Sequence, residues 1–286
     1  MTRSATLTTF LASNADAILC ELTSVRGSSP REQGTFMLVG AHDLFGTIGG
    51  GALEYMVIGH ARRLIANGQA EAAMDVPLGP EIGQCCGGRV AVGLRYADAA
   101  IRERLAARVA AEEAALPHVY VFGAGHVGRA LAQMLALLPV QLQVIDTRQE
   151  ELALLPEGIT AHAVAMPEAM VRSAPQGSSY VILTHDHALD FLIAQEALAR
   201  TDAPYIGMVG SRTKRAKFSS WFQGEGGEAR ALERLVLPIG QQGLGDKRPE
   251  VIAALAAAEI MVHIGQWEAE IARARAPRSK GAMIGR

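Results

Sequence analysis

The sequence predicts an α/β protein in two parts, the second built on a doubly wound parallel sheet. Three observations predict it. From His118 onward, short apolar runs alternate with helical segments at the spacing of strand–helix–strand units. The first of those runs, Val119–Phe122, leads directly into Gly123-Ala124-Gly125-His126-Val127-Gly128, a glycine turn that opens a helix. Ahead of it lies Asp98–Leu116, rich in Ala, Glu and Arg, capped by Asp98 and ended by Pro117, which reads as a helical connector. With 286 residues, about two domains are expected: 1–105, a connector at 106–117, a second domain at 118–265, and a tail at 266–286.

In the first part, Ala17–Val25 is an apolar, β-branched strand, broken by Gly27-Ser28-Ser29-Pro30. Gly34–Val39 and Leu44–Ile48 are the next two strands. Gly49-Gly50-Gly51 then opens a helix, Ala52–Ile65, whose apolar positions Leu53, Met56, Val57, Ala61 and Leu64 fall three and four apart. Strands at Ala72–Leu78 and Gly88–Tyr96 flank a loop at Gly79–Gly87. In the second part the strands are Val119–Phe122, Leu142–Ile145, Thr160–Ala165, Tyr180–Leu183 and Tyr205–Val209. The helices are His126–Leu138, Leu189–Ala199 and Pro249–Val262, the last with proline in its first turn.

Composition excludes several classes. Hydrophobic residues make up 49% and charged residues 20%, enough for sizeable cores. Lys and Arg number 27 against 29 Asp and Glu, so the basic excess that nucleic acid or an anionic membrane requires is missing. The longest apolar stretches fall short of a membrane span, and Met1–Phe10 lacks the apolar core of a signal peptide. Three cysteines, Cys20, Cys85 and Cys86, suggest a reducing compartment, and cytoplasm is the expected location.

The chemistry-bearing candidates are loops. Gly123, Gly125 and Gly128 follow a strand and open a helix, and Asp146 ends the next strand 18 residues past Gly128, which is the full context of a Rossmann turn. Such a turn brings backbone N–H groups to a phosphate, and Asp146 would accept from a ribose hydroxyl. Either a dinucleotide binds there or the turn is purely architectural. Arg148 suits a 2′-phosphate, so NADP fits as well as NAD, or else Arg148 is a solvated surface charge. Cys85-Cys86-Gly87-Gly88-Arg89 offers a sterically open thiol whose thiolate is favoured by nearby N–H groups; the alternative is two small buried residues. Thr184-His185-Asp186-His187 sits at the carboxyl end of a strand. His185, His187 and Asp190 sketch a metal site without helical ligand spacing; a better reading has Asp186 or Asp190 capping the helix while His185 faces a cleft. Ser211-Arg212, ahead of Lys214, Arg215 and Lys217, would hold a phosphate at a helix start or form an exposed face.

Several strings carry a wider resemblance. They are Val25-Arg26-Gly27-Ser28-Ser29-Pro30-Arg31, Gly46-Thr47-Ile48-Gly49-Gly50-Gly51-Ala52-Leu53-Glu54, and Cys86-Gly87-Gly88. In the second part they are Phe122-Gly123-Ala124-Gly125-His126-Val127, Thr184-His185-Asp186, Tyr205-Ile206-Gly207 with Gly210-Ser211-Arg212, Pro238-Ile239-Gly240, and Ala257-Ala258-Glu259-Ile260. Together they resemble the XdhC/CoxI family, accessory proteins of molybdenum hydroxylases.

The resemblance implies an α/β XdhC/CoxI domain followed by a Rossmann-type domain. It implies a molybdenum cofactor (molybdopterin) chaperone that protects its cargo during sulfuration and delivers it to apo xanthine dehydrogenase, acting with a cysteine desulfurase and forming a homodimer, without turnover of its own. The cofactor-binding residues would be Cys86, Gly87, Gly88, Gly49, Gly50, Gly51, Gly123, Gly125, His126, Gly128, Asp146, Arg148, His185, Ser211 and Arg212, with Cys86 as the molybdenum contact. Cys85 departs from the family's Cys-Gly-Gly, and Gln241–Lys247 is looser than the family's continuation. A second reading, an NAD(P)-dependent oxidoreductase, rests on the glycine turn alone.

Overall fold

The computed structural model describes residues 2–80, 87–240 and 245–275, and the chain divides into two compact units, Met1–Ala115 and Leu116–Arg286. Among the described residues, the first unit holds a five-stranded antiparallel sheet in the order β3-β2-β1-β5-β4. The strands are β1 (Ile18–Arg26), β2 (Phe36–Val39), β3 (Leu44–Gly46), β4 (Glu71–Pro77) and β5 (Arg89–Tyr96). The central strand, β1, pairs with β2 from Ile18 opposite Val39 to Glu21 opposite Phe36, and with β5 as far as Arg26 opposite Arg89.

Successive side chains on a strand face opposite ways, and here both faces are covered. Ile18, Cys20, Leu22, Met37 and Val39 pack under helix α2 (Gly51–Asn67). Leu19, Phe36 and Leu38 pack under α1 (Arg3–Ser13) and α3 (Ala99–Ala114). Helix α1 has no counterpart among the elements expected from the sequence. It forms because Thr2 accepts from Ala5 N–H at 3.2 Å and because Leu7 and Phe10 are buried beside α3.

The division after Ala115 falls inside the expected helical connector, and residues 106–115 cluster with the first unit. The reason is a stripe at four-residue spacing, Ile101, Leu105 and Val109, that is buried in its core. Arg102 ties the two helices together. Its guanidinium donates to Leu11 O at 2.9 Å and Asn14 O at 2.8 Å, satisfying carbonyls that the end of α1 leaves open.

Among its described residues, the second unit holds a six-stranded parallel sheet in the order β11-β10-β9-β6-β7-β8. The strands are β6 (His118–Phe122), β7 (Gln141–Asp146), β8 (Thr160–Ala163), β9 (Ser179–Ile182), β10 (Ile206–Met208) and β11 (Leu235–Val236). With its first strand, β6, at the centre, this is a Rossmann sheet, and the strand order reverses between β6 and β9. One face is covered by α4 (His126–Leu135) and α9 (Pro249–Arg275). The other is covered by α6 (Glu168–Ser173), α7 (His187–Ala199) and α8 (Arg212–Gly224). Burial on both faces explains why Tyr180–Ile182 of β9 and Ile206–Met208 of β10 are continuous apolar runs.

Two short helices, α5 (Gln149–Leu152) and α6, and the two-residue β11 carry too little periodicity to be read from sequence. Helix α9 runs past Val262 to Arg275, so residues 266–275, expected as tail, are helical; nothing among Gln266–Arg275 breaks a helix. By length and composition α9 would pass for a membrane span. Instead, Ala253, Ala256, Ala257, Ile260 and Ile264 are buried in the core it shares with α4.

Candidate functional site

In the first unit, three of the motif loops meet at one end of the sheet. Because Arg26 lies opposite Arg89, the turn leaving β1 and the turn entering β5 run side by side. They touch so closely that a Cβ on Gly88 would sit 2.0 Å from Ser28 O, and one on Gly27 would sit 3.3 Å from Gly88 Cα. The loop from β3 into α2 joins them: a Cβ on Gly49 would lie 2.8 Å from Pro30 Cγ. Gly50 and Gly87, in contrast, face space in which a Cβ would meet no described atom within 4 Å.

Glu54 shapes this loop from inside α2. Its Oε2 accepts from Thr47 Oγ1 at 2.6 Å, Gly50 N at 3.0 Å and Ile48 N at 3.1 Å. Burial pushes its pKa up, but the bonds from Thr47 and the backbone N–H groups outweigh that and hold it below the usual carboxylate value. The N–H of Gly50 is therefore already committed to Glu54. Arg26 and Arg31 are exposed on the neighbouring turn, while Arg89 pairs with Asp75 across β5 and β4 at 2.8 Å. Cys85 and Cys86 directly precede Gly87 in the chain and lie outside the described residues.

The second unit places its motif strings around the crevice between β6 and β9. Gly123 adopts φ +116°, and a Cβ there would sit 2.2 Å from Leu183 O, so the turns after β6 and β9 are in contact. Gly125 is the N-cap of α4 and faces open space, and His126 beside it is exposed. Gly128 seats the helix on the strand: its Cβ would lie 1.9 Å from Gly123 O.

At the end of β9, Asp186 caps α7 by accepting from Ala188 N at 2.7 Å, leaving His185 and His187 exposed. Asp190 joins neither histidine. It is fully buried and accepts from Thr184 N at 2.9 Å, from Thr184 Oγ1 at 2.7 Å and from the Lys214 ammonium. The metal sketch of His185, His187 and Asp190 is therefore not realised, and no metal-binding cluster occurs among the described residues.

Lys214 also donates to Val209 O at 2.9 Å, and its chain fills the space a Cβ on Gly210 would take, 2.6 Å from Lys214 Cδ. Gly210 admits the lysine, Ser211 caps α8 by accepting from Lys214 N at 3.2 Å, and Arg212 stays exposed. By sequence, Lys214 belongs to a charged stretch that either helps hold a phosphate at a helix start or forms an exposed face. In the structure it is buried and locks the loops after β9 and β10 to each other.

Asp146, expected to meet a ribose, is 4% exposed and bonded to Arg148 in its own loop and to the glycine turn. It accepts from Ala124 N at 2.8 Å and from the Arg148 guanidinium at 2.9 and 3.0 Å. Burial alone would raise its pKa, and the bonds from Arg148 and Ala124 outweigh it. Tyr205 and Glu259, from two other motif strings, pair with each other at the opposite edge of the sheet, and burial pushes the Tyr205 phenol up. A Cβ on Gly207 would sit 2.4 Å from Tyr205 Oη, which accounts for the glycine in Tyr205-Ile206-Gly207.

Two family models match the chain, the XdhC and CoxI family over residues 10–76 and the XdhC Rossmann domain over residues 119–260. The chain belongs to the XdhC and CoxI family. The E. coli (strain K12) protein YqeB is 27% identical over 263 residues, 87% of this chain but 43% of YqeB, so the chain spans less than half of that relative. A solved structure described as a xanthine dehydrogenase from Bacillus halodurans shares the fold. Its TM-score is 0.75 at 18% identity, over 93% of this chain and 96% of that one. Of the XdhC/CoxI motif strings, those at Val25–Arg31, Gly46–Glu54 and Gly87-Gly88 meet in the first unit, and those at Phe122–Val127, Thr184–Asp186 and Gly210–Arg212 lie at the turns after β6, β9 and β10 in the second.

Proposed function

We propose that this XdhC-family protein acts in the maturation of a xanthine-dehydrogenase-type enzyme, binding molybdenum cofactor, protecting it during sulfuration and handing it to the apoenzyme. The observation that carries the reading is the convergence of the Gly27–Arg31, Gly49–Gly50 and Gly87–Gly88 loops at one end of the first unit. The cargo pairs a phosphate with a soft metal dithiolene. Gly50 and Gly87 leave room for backbone approach, Arg26 and Arg31 supply positive charge, and Cys86 supplies a thiolate suited to a soft metal. The second unit's crevice, framed by Gly123, Gly125, His126 and Gly128 with His185, Ser211 and Arg212, is a separate anion-accepting surface. Partners in this reading are apo xanthine dehydrogenase, a cysteine desulfurase and a second copy of the chain, in the cytoplasm. The chain itself turns over no substrate. The oxidoreductase reading gains no support from Asp146, whose carboxylate is already bonded to Arg148.

The test is cofactor retention. Wild type, Cys86→Ser and Cys85→Ser are purified from a cofactor-competent host, and released pterin and molybdenum are measured. Cys86→Ser is expected to retain less by about 10-fold or more, since even outer-shell changes cost metal sites about 10–100-fold. Cys85→Ser is expected to stay near wild type. Equal, full retention in both variants would rule out the assignment of Cys86.

A further inference from the structure

We propose that Arg148 is a specificity-determining residue that closes the β7 side of the second unit's crevice to the adenosine ribose of a dinucleotide. In a Rossmann sheet the acid at the end of the second strand normally accepts from that ribose. Here the position is taken by Asp146. Its Oδ1 accepts from Arg148 N and from Arg148 Nε, each at 3.0 Å. Its Oδ2 accepts from Arg148 Nη2 at 2.9 Å and Ala124 N at 2.8 Å. A carboxylate has about four acceptor sites, and these contacts occupy them.

The arginine is held in turn. Its Nη1 lies 3.6 Å from Glu151 Oε1, and Glu151 Oε2 accepts from Arg129 Nη1 at 2.6 Å. Arg129 Nη1 also donates to Ala124 O at 2.8 Å, which returns the network to the glycine turn. A ribose diol could reach Asp146 only by displacing the Arg148 fork, and the displaced partner is a buried carboxylate. A 2′-phosphate could reach Arg148 only by pulling it off Asp146. Neither NAD nor NADP therefore finds a free partner on this side. On the other side of the crevice Gly125 is open and His185 and Arg212 are exposed. The crevice is shaped for an anionic group without an adenosine ribose beside it. This inference is independent of the cargo held by the first unit.

The experiment titrates NAD and NADP, separately, into the full-length wild type, Arg148→Ser, Arg148→Gln and the double variant Arg148→Ser with Asp146→Ala, with melting curves to establish folding. Wild type is expected to show no saturable binding of either up to about millimolar ligand. A folded Arg148→Ser or Arg148→Gln is expected to bind NAD at least about tenfold more tightly than wild type, a gain that disappears in the double variant. Three results overturn the proposal. One is saturable binding of either dinucleotide by wild type, above all NADP binding lost with Arg148. Another is folded single variants that gain nothing. The third is failure of both to fold, which would make the pair part of the fold and not a selector.

Discussion

Replacing Lys214 by methionine is expected to destabilise the second unit by about 3–5 kcal/mol, the cost of stripping a buried charge of its counter-ion. Methionine keeps the apolar length of the side chain, so the loss reports the ammonium and not the packing. Asp190, fully buried, would be left with the Thr184 donors alone, and Val209 O would lose its partner. The double variant Lys214→Met with Asp190→Asn removes both charges and keeps an oxygen that accepts from Thr184. It is expected to recover more than half of the loss, because the penalty belongs to the orphaned charge. Both tryptophans, Trp221 and Trp267, lie in the second unit, so urea unfolding followed by their fluorescence reads that unit directly. Loss of equal size in the single and double variants would show that the pair acts through packing.

Gly128→Ala is expected to cost more than about 4 kcal/mol or to abolish folding of the second unit, an effect reserved for steric conflict in a core. The added Cβ would stand 1.9 Å from Gly123 O and 2.9 Å from Leu183 Cδ1, so α4 would have to lift from the sheet. Gly125, three residues earlier, behaves oppositely. Its φ of −66° suits any residue, and a Cβ there meets no described atom within 4 Å. Gly125→Ser is expected to leave stability within about 0.5 kcal/mol, since serine and glycine are close at an N-cap. Gly125→Val should also fold while obstructing the approach of a phosphate to the turn. The pair of melting curves separates the glycine that builds the fold from the one that faces a ligand. Similar losses at both positions would contradict the division.

The parallel sheet was legible because strands buried on both faces are short continuous apolar runs, as Val119–Phe122 and Tyr180–Leu183 are. The glycine turn was legible because Gly123 and Gly128 have no room for a side chain. Long-range pairing was not. Lys214, Arg215 and Lys217 look like one solvated charge run, yet Lys214 is buried and Arg215 donates to Leu235 O at 3.0 Å and Leu237 O at 3.1 Å. A signal was present. Lys214, Phe218 and Phe222 recur every four residues, which puts the lysine on the buried stripe of α8. Asp146 was placed correctly at a strand end, but nothing in sequence spacing says that Arg148 two residues on folds back upon it. The convergence of the first unit's loops was likewise hidden, because it depends on β1 and β5 being neighbours across a long stretch of chain.

The central claim, delivery of molybdenum cofactor, is tested most directly by reconstitution. Apo xanthine dehydrogenase, free cofactor and a sulfur donor are combined with increasing amounts of this protein, up to stoichiometric. Recovered hydroxylase activity is predicted to rise with the amount of carrier and to fall away when Cys86→Ser replaces wild type. Activity that is the same with and without the protein, or steady turnover of NADPH by the protein alone, would contradict delivery.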